Sequence, residues 1–474
     1  VASAEGEIEF ADLRDRDAGL NAIVERLDAR ARARVDRLPA GPMRGVPFLF
    51  KDLKLQLEGT ITTDSTALRA RRVATRSSVL AERYEAAGLQ VLGKSNSPEL
   101  GIMAITESKL RGACRNPHNL DHTPGGSSGG SASAVAARIV PAAHAGDGGG
   151  SIRIPASHCG LVGLKPTRGR VTMAPFIGEA WSGYVQEHVV CHSVRDSAAF
   201  LDIADPPTPG EPYAAPTKAR PWVDEVGADP GKLRVAVFKG TLFGGEAHPD
   251  CVAAVDAAAE TLRSLGHDVD EACPPFPRED LVRAYFTCVS SGVARTVEEI
   301  SAEHNKRPSA GDFEPATWLL ARIGWNATSA DLVGARWTIE RAAREVAAFF
   351  ERFDVFVTAT AARPAPRVGE LAPSASEDRQ ARLVGALPIG ALLNYALDRM
   401  ASGKLAATPN TQLFNQTGQP AISLPLAASA TGLPIGVQFV ARFGDEATLF
   451  RLASQIETAT PWSTAPAGIF ASEG

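Results

Sequence analysis

Cysteine is scarce in this chain, and its distribution excludes several classes of protein. The six cysteines are scattered, with no C-x-x-C pair among them. A disulfide framework or a structural zinc site requires paired spacings, so neither is expected. We expect all six to be reduced thiols in the core, namely Cys114, Cys159, Cys191, Cys251, Cys273 and Cys288.

Long apolar runs are also missing. The longest, from Leu383 to Leu393, is interrupted by Pro388 and falls short of the ~18 residues that a membrane-spanning helix needs. The start of the chain, Val1 to Glu5, has no basic-then-apolar signal pattern, and it has no initiator Met, so upstream residues can be missing. A cytoplasmic location is the default expectation.

The chain has no surplus of basic charge. Its 49 Lys and Arg residues face 54 Asp and Glu residues, for a net charge of -5, and no polybasic run occurs. Binding to nucleic acid or to an anionic membrane is therefore not expected, and the predicted partner is a small molecule. Hydrophobic residues make up 44% and charged residues 22%, as in average globular proteins, which excludes a fibre or a fully disordered chain.

Segments of strand length alternate with segments of helical periodicity. The clearest predicted strands are Val46–Phe50, Leu89–Leu92, Leu233–Phe238, Val355–Thr358, Ala421–Leu424 and Ile435–Val440. The predicted helices are Leu20–Val35, Ser77–Ala87, Ser131–Val140, Pro249–Leu265, Thr338–Phe350 and Glu446–Thr458. This alternation predicts an α/β fold with a central sheet covered by helices on both faces. The Pro-rich stretch 206–230 is interpreted as a surface connection within a single domain, 1–474.

Two motif matches stand in the wrong context. Residues 88–95 fit the phosphate-loop pattern, but a predicted helix precedes them and their spacer is a predicted strand. Residues 125–130 fit the G-x-S-x-G nucleophile elbow, but a polar turn precedes them instead of an apolar strand. His118 and His122 are interpreted as solvent-facing loop residues and not as a metal pair. We expect no metal and no cofactor.

Two clusters of glycine and serine, 124–133 and 146–155, are candidates for chemistry. The glycines before Ser151 leave backbone N–H groups unshielded, as an oxyanion hole requires. A serine nucleophile needs a base, and no histidine can be assigned that role. A lysine can serve once its pKa is lowered by burial or by nearby positive charge.

Three lysines are candidates for that base. Lys51 ends a predicted buried strand, and Lys54 and Lys165 are its rivals. In the alternative interpretation each is solvated or ion-paired, with Asp52 as the adjacent partner of Lys51.

Several segments together carry a family resemblance. They are GGSSGGS at 125–131, DGGGSIRIPA at 147–156 and CGLVGLKPT at 159–167, joined by Lys51-Asp52 upstream and by 418–438 downstream. The sequence closely resembles the amidase signature family over nearly its whole length. Within that family it is most similar to the branch that hydrolyses cyclic nylon oligomers and urethanes. The resemblance implies the amidase signature fold, with a mixed central sheet.

The resemblance also implies the roles of individual residues. Ser151 is the expected nucleophile, Ser127 the bridging serine with a cis peptide bond, and Lys51 the base. The remaining expected residues are Gly148, Gly149 and Gly150 in the oxyanion hole, with the N–H of Ser151 beside them, and Ser128, Asp147 and Arg153 as supports. Met103, Thr106 and Cys288 are expected at the substrate, with ordinary core packing as the alternative for each. Asp147 and Arg153 should be paired, as buried charges are. The family's usual Gly-Thr before the aspartate is Ala145-Gly146 here, so a bracing hydroxyl is missing.

The implied activity is hydrolysis of the carbon–nitrogen bond of small, aryl or cyclic amides through an acyl-enzyme on Ser151. Carbamate (urethane) and ester cleavage are expected as related activities. The alternatives are the glutaminase subunit of a tRNA-dependent amidotransferase and a catalytically silent binding protein. A homodimer is compatible with the sequence.

Overall fold

A large mixed β-sheet organises the fold. The structure is a computed structural model that describes residues 16–386, 390–403 and 408–462. The predictions for Val1 to Glu5 and for Pro388 lie outside these residues. Within them, no helix is both long enough and apolar enough to cross a membrane.

The described residues form strands and helices in alternation. The strands are β1 (Ile23–Arg26), β2 (Pro47–Lys51), β3 (Gln90–Ser95), β4 (Glu107–Ser108), β5 (Gly112–Ala113), β6 (Ala142–Asp147), β7 (Val162–Lys165), β8 (Gln186–Cys191), β9 (Arg234–Val237), β10 (Asp268–Glu271), β11 (Val355–Ala359), β12 (Ala421–Ala428) and β13 (Pro434–Ala441). The α-helices are α1 (Asp28–Arg34), α2 (Val79–Ala86), α3 (Gly129–Ala136), α4 (Arg153–Cys159), α5 (Val194–Ala204), α6 (Pro249–Ser264), α7 (Arg278–Ala302), α8 (Pro315–Asn326), α9 (Ser329–Arg352), α10 (Ala375–Ala386), α11 (Gly390–Gly403), α12 (Gln412–Thr417) and α13 (Glu446–Ala459). Short 3-10 turns occur at Val35–Arg37, Ala67–Arg69, Glu99–Gly101 and Trp222–Glu225.

The main sheet has 11 strands in the order β1-β3-β2-β6-β8-β7-β12-β13-β11-β9-β10, and β4 pairs with β5 apart from it. Strand β2 runs parallel to both β3 and β6, and β9 runs parallel to β10 and β11. The other neighbours in the main sheet are antiparallel. The sheet is therefore mixed, which confirms the predicted fold class.

Both faces of the sheet are buried. Successive residues of a strand point to opposite faces, and in β11 Val355 and Val357 enter one hydrophobic cluster while Phe356 enters another. The first cluster contains side chains of α2, α5, α6 and α13, and the second contains side chains of α7, α8 and α9. Helices thus cover both faces, as predicted.

One predicted helix is half wrong. The segment Leu20–Val35 begins with the edge strand β1, which pairs with β3, and the helix starts only at Asp28. Pairing with a buried neighbour overrides the helical periodicity of this segment. The other predicted helices and strands correspond to observed elements whose ends differ by at most four residues, except that α9 begins at Ser329, nine residues before the predicted Thr338.

Four smaller predictions have clear outcomes. Residues 88–95 form a turn and a strand after α2, as expected from rejecting the phosphate loop. The stretch 206–230 is not wholly a surface connection, because Trp222 is 2% exposed. Cys273 is exposed, which corrects its assignment to the core, whereas the other cysteines are buried. His118 and His122 are half-buried, with ring nitrogens 3.0 Å and 2.7 Å from separate backbone carbonyls, and so are not solvent-facing.

Candidate active site

The candidate site lies where three neighbouring parallel strands end. Strand β2 lies between β3 and β6, and the last residues of the three are Lys51, Ser95 and Asp147. Carboxyl ends of parallel strands meet at one edge of a sheet, where α/β proteins commonly bind ligands. The Gly/Ser segments of the sequence follow β6 and precede α3, so they meet at this edge.

Lys51 is buried at the centre of this edge, with 1% of its surface exposed. Its Nζ donates hydrogen bonds to Ser127 Oγ at 2.7 Å and to Ser128 Oγ at 2.9 Å. The carbonyl oxygen of Gly146 lies 3.4 Å from the same nitrogen. Lys51 therefore contacts both the predicted bridging serine and its neighbour.

Burial lowers the pKa of Lys51 to about 8, against the opposing influence of the Glu187 and Asp147 carboxylates. A charged amine is disfavoured away from water, so a fraction of Lys51 is neutral near pH 7. Asp52 is not its ion partner, because the Asp52 carboxylate accepts hydrogen bonds from the backbone N–H and the hydroxyl of Thr63.

The rival lysines have other hydrogen-bond partners, although Lys54, like Lys51, lines a small cavity that Ser127 and Ser151 also line. Lys54 Nζ contacts Thr296 Oγ1 at 3.5 Å, and Lys165 Nζ donates to the carbonyl of Pro166 at 2.8 Å. Burial lowers the pKa of Lys165 as well, but its Nζ donates to the backbone carbonyl of Pro166 and not to a serine. Of the three candidates, Lys51 is the one hydrogen-bonded to the predicted serines.

Thr106 stabilises the serine loop, residues 125–129, through hydrogen bonds to its backbone. The Gly126–Ser127 peptide bond is cis. Thr106 Oγ1 donates to the carbonyl of Gly125 at 2.9 Å and accepts from the N–H of Gly129 at 3.2 Å. Thr106 is fully buried, so it braces the loop and does not face a substrate, which corrects its predicted role.

Ser128 links the two loops of the site. Its N–H donates to the carbonyl of Ser151 at 3.3 Å. Its hydroxyl lies 3.3 Å from both the N–H and the carbonyl of Gly146. Ser128 thus contacts both loops, and its supporting role stays a prediction.

Asp147 and Arg153 form a buried ion pair, as expected. Arg153 Nε is 2.9 Å from Asp147 Oδ2, and Nη2 is 3.0 Å from Oδ1. Asn415 Nδ2 adds a hydrogen bond to Asp147 Oδ1 at 2.8 Å, and Arg153 Nη1 donates to Gln438 Oε1 at 2.6 Å. Burial alone would raise the pKa of the Asp147 carboxyl, but Arg153 and Asn415 hold it well below its usual range.

The Asp147 carboxylate also shapes the glycine loop. It accepts the N–H of Gly150 at 2.6 Å and that of Ile152 at 3.2 Å. Gly150 has φ +124, a conformation that L side chains rarely adopt. Because its N–H is already used, Gly150 is removed from the predicted oxyanion donors. Gly148, Gly149 and Ser151, which line the cavities described next, remain.

Two cavities meet at Ser151. A cavity of about 360 Å³ is lined by Ser151, Gly149 and largely apolar side chains, among them Met103, Ile105, Phe286 and Leu320. A much smaller one lies on the other side of Ser151, lined by Lys51, Ser127, Gly148 and Glu187. Trp181 lines both. Ser151 thus lines the larger, mostly apolar cavity and also the smaller cavity that Lys51 lines.

The residues predicted to contact the substrate lie in different places. Met103 lines the larger cavity, where a substrate could reach it. Cys288 lines neither cavity; it is buried in α7, where its thiol contacts Tyr184 and Ser182. Tyr285, one turn earlier, lines the cavity instead and donates its hydroxyl to the carbonyl of Gly148 at 3.2 Å. The prediction that Cys288 contacts the substrate is therefore wrong. Tyr285, one helical turn earlier in α7, lines the cavity in its place.

Some residues of the site were not found in the sequence. Asn415 and Gln438 hydrogen-bond to the ion pair, Trp181 lines both cavities, and Glu187 lines the small cavity with Lys51. The signal for Asn415 was a run of polar residues, 410–412 and 415–417, around two apolar ones. Polar residues in an otherwise buried segment need partners, which points to a site.

Comparison with known proteins gives a consistent result. The family model described as Amidase matches residues 13–450. The 6-aminohexanoate-cyclic-dimer hydrolase of Pseudomonas sp. (strain NK87) is 37% identical over 450 residues, covering 94% of this chain and 88% of that protein. The enzyme of the same name from Paenarthrobacter ureafaciens shows the same identity and coverage. A solved structure of 6-aminohexanoate cyclic dimer hydrolase complexed with substrate has a TM-score of 0.88 and 35% identity, covering 97% of this chain and 94% of that one. The chain therefore belongs to the amidase signature family and is an amidase-type hydrolase.

Proposed function

We propose that this protein hydrolyses amides through an acyl-enzyme on Ser151, with Ser127 and Lys51 as its proton relay. The observation that carries the proposal is the hydrogen bond of 2.7 Å between the buried Lys51 Nζ and Ser127 Oγ, beside a cavity that Ser151 also lines. A buried amine with a lowered pKa is the kind of base that a serine nucleophile needs.

The relay begins with neutral Lys51. A neutral amine keeps two N–H groups, which can serve Ser128 Oγ and the carbonyl of Gly146, and directs its lone pair at Ser127. Ser127 gives its proton to Lys51 and takes the proton of Ser151, whose Oγ forms a bond to the carbonyl carbon of the amide. The N–H groups of Gly148, Gly149 and Ser151 are the proposed donors to the oxygen on which negative charge develops.

The proton then returns along the same route. Ser127 donates a proton to the amide nitrogen and recovers one from the Lys51 ammonium. The carbon–nitrogen bond breaks, the amine leaves, and the acyl group stays on Ser151 as an ester. Water attacks this ester with the same relay as base, which releases the carboxylic acid and restores Ser151.

The larger cavity indicates the class of substrate. Its lining is mostly apolar and about 360 Å³ in volume, which suits a small aryl or cyclic amide. The relatives that are 37% identical are named for a cyclic amide dimer, so this compound is the first to be tried. Carbamates present the same carbonyl to Ser151, and their cleavage, like that of esters, is proposed as a related activity.

The amidotransferase alternative has less support. The curated relatives reported above are named as hydrolases of a cyclic dimer and not as an amidotransferase subunit. Neither is a silent scaffold favoured, since Lys51, Ser127 and Ser151 adjoin one cavity. A cytoplasmic location, a single domain and a homodimer stay predictions, and light scattering of the purified chain tests the last.

The test uses four substrates and three proteins. Wild type, Ser151→Ala and Lys51→Ala are each assayed with the cyclic dimer of 6-aminohexanoate, a p-nitroanilide, the matching p-nitrophenyl carbamate and glutamine. We expect turnover in wild type and a loss of about a thousandfold or more in both variants. Full activity in folded Ser151→Ala would refute the acyl-enzyme. Activity on glutamine alone, with a co-purifying partner, would favour the amidotransferase.

A further inference from the structure

A carboxylate, that of Glu187, lines the small cavity together with the proposed base, Lys51. Gly146 and Glu187 are opposite each other in the antiparallel pairing of β6 and β8. A Cβ atom at position 146 would lie 2.5 Å from Glu187 Oε2 and 2.9 Å from Oε1. The carboxylate therefore occupies the space that a side chain at position 146 would fill, and Gly146 makes room for it.

The same glycine is next to Lys51. The Gly146 carbonyl lies 3.4 Å from Lys51 Nζ, and Lys51, Gly146 and Glu187 line the small cavity together with both serines of the relay. The carboxylates of Glu187 and Asp147 both raise the pKa of Lys51, and Glu187 raises it more than Asp147 does.

The other charged groups nearby are already balanced or neutral. Arg153 binds both oxygens of Asp147. Lys94 on β3 donates to the carbonyl of Leu55 and to Thr62, and the carboxylates of Asp52 and Asp64 act on it.

The histidine beside Glu187 does not cancel its charge. His144 Nε2 lies 3.0 Å from Glu187 Oε2, and burial lowers the pKa of His144, so its ring is neutral at pH 7. Lys54 lines both the small cavity and the adjoining one with Glu187, but its Nζ contacts Thr296 and its charge acts on the Asp64 carboxylate. The negative charge of Glu187 is therefore available to Lys51.

We propose that Glu187 is a positioning residue for Lys51, and that its carboxylate stabilises the ammonium form that Lys51 takes when the relay delivers a proton. This inference rests on the proposed function. When Ser151 Oγ bonds to the substrate carbon, one proton passes to Ser127 and one from Ser127 to Lys51. The neutral amine becomes a cation in a buried site, where a nearby anion lowers its cost. The proton leaves again with the amine product.

The test removes this charge without removing a member of the relay. Glu187→Gln keeps the size of the side chain, and labelling of Ser151 by a fluorophosphonate reports the nucleophile directly. With the anion gone, the lysine is a weaker base, so we expect the acid limb of the labelling rate to move down by about one pH unit. The rate above the limb should fall about tenfold. Glu299→Gln, which removes an exposed carboxylate at the adjoining cavity, is the matched control.

A second variant guards against misfolding of the first. Gly146→Ala displaces the Glu187 carboxylate while leaving Glu187 in the chain, so its limb should shift in the same direction. In the double variant, which carries both Gly146→Ala and Glu187→Gln, the shift of the acid limb should be little larger than in Glu187→Gln alone. An unmoved limb in the folded variants would overturn the role of Glu187, even if the rate falls. Failure of the probe to label Ser151 in wild type would overturn the proposed function itself.

Discussion

Arg153 binds both carboxylate oxygens of Asp147, and neither side chain is exposed to solvent. The pair joins the first turn of α4 to the end of β6, with the nucleophile loop between them. Because Asp147 also accepts the N–H of Gly150, the ion pair determines the shape of the loop that carries Ser151.

Removing Arg153 should therefore cost stability. In Arg153→Met the Asp147 carboxylate stays buried without its cation, so we expect a loss of about 3–5 kcal/mol in the free energy of unfolding. Urea denaturation measures it. Arg295→Met is the control, since the Arg295 side chain is 68% exposed and its pairing with Glu299 lies at the surface. Equal losses in the two variants would contradict the importance of the buried pair.

Activity should rise with pH through the pKa of Lys51. The base works only when neutral, and burial lowers the pKa of Lys51 to about 8. Below that value kcat/KM should fall about tenfold per pH unit, and above it the profile should level off. A profile of kcat/KM from pH 6 to 10 gives the limb. Lys51→Arg, whose side chain stays protonated, should be inactive throughout; a flat wild-type profile would speak against a lysine base.

Thr106 should affect turnover more than binding. Thr106→Val keeps the shape but loses the hydrogen bonds to Gly125 and Gly129, so the serine loop is less well fixed. We expect kcat to fall about tenfold with KM nearly unchanged, because small misplacements of a reacting group are costly. Thr106→Ser, which retains the hydroxyl, should recover most of kcat. A rise in KM alone would instead place Thr106 against the substrate.

Met103 and Cys288 should behave differently on truncation. Met103 lines the larger cavity, so Met103→Ala should raise KM for aryl amides severalfold. Cys288 is buried in α7, so Cys288→Ala should lower the unfolding free energy by about 1 kcal/mol and leave KM unchanged. Steady-state kinetics and thermal unfolding on both variants separate the effects. An equal rise of KM in Cys288→Ala would restore the substrate contact that the family resemblance implied.

The sequence predicted those parts of the site whose residues lie in dense local motifs. Ser127, Asp147, Ser151 and Arg153 come from two Gly/Ser segments, and Lys51 ends an apolar strand. Although β6, β8 and β7 in the middle of the sheet were not predicted, strands β2, β3, β9, β11, β12 and β13 were likewise found from runs of apolar residues. In these places the local pattern and the tertiary structure agree.

The missed features depend on how distant elements meet. Glu187 reaches the site because β8 pairs with β6, and no strand was predicted at β8. Gln438 meets Arg153 across 285 positions of the chain. The N–H of Gly150 was counted as free because nothing in the sequence shows where the Asp147 carboxylate turns. Contacts of these kinds follow from strand order and side-chain direction, not from spacing.

The wide separation of these partners has a consequence for synthesis of the enzyme. Lys51 and Ser127 are 76 positions apart, and Arg153 meets Gln438 only when β13 has joined the sheet. A chain still on the ribosome, or one cut short before position 438, lacks Gln438, one of the hydrogen-bond partners of the buried Arg153. Long-range pairings of this kind also form late and slowly. Hydrolytic activity is therefore a readout of completed folding, and prematurely terminated products should be inert.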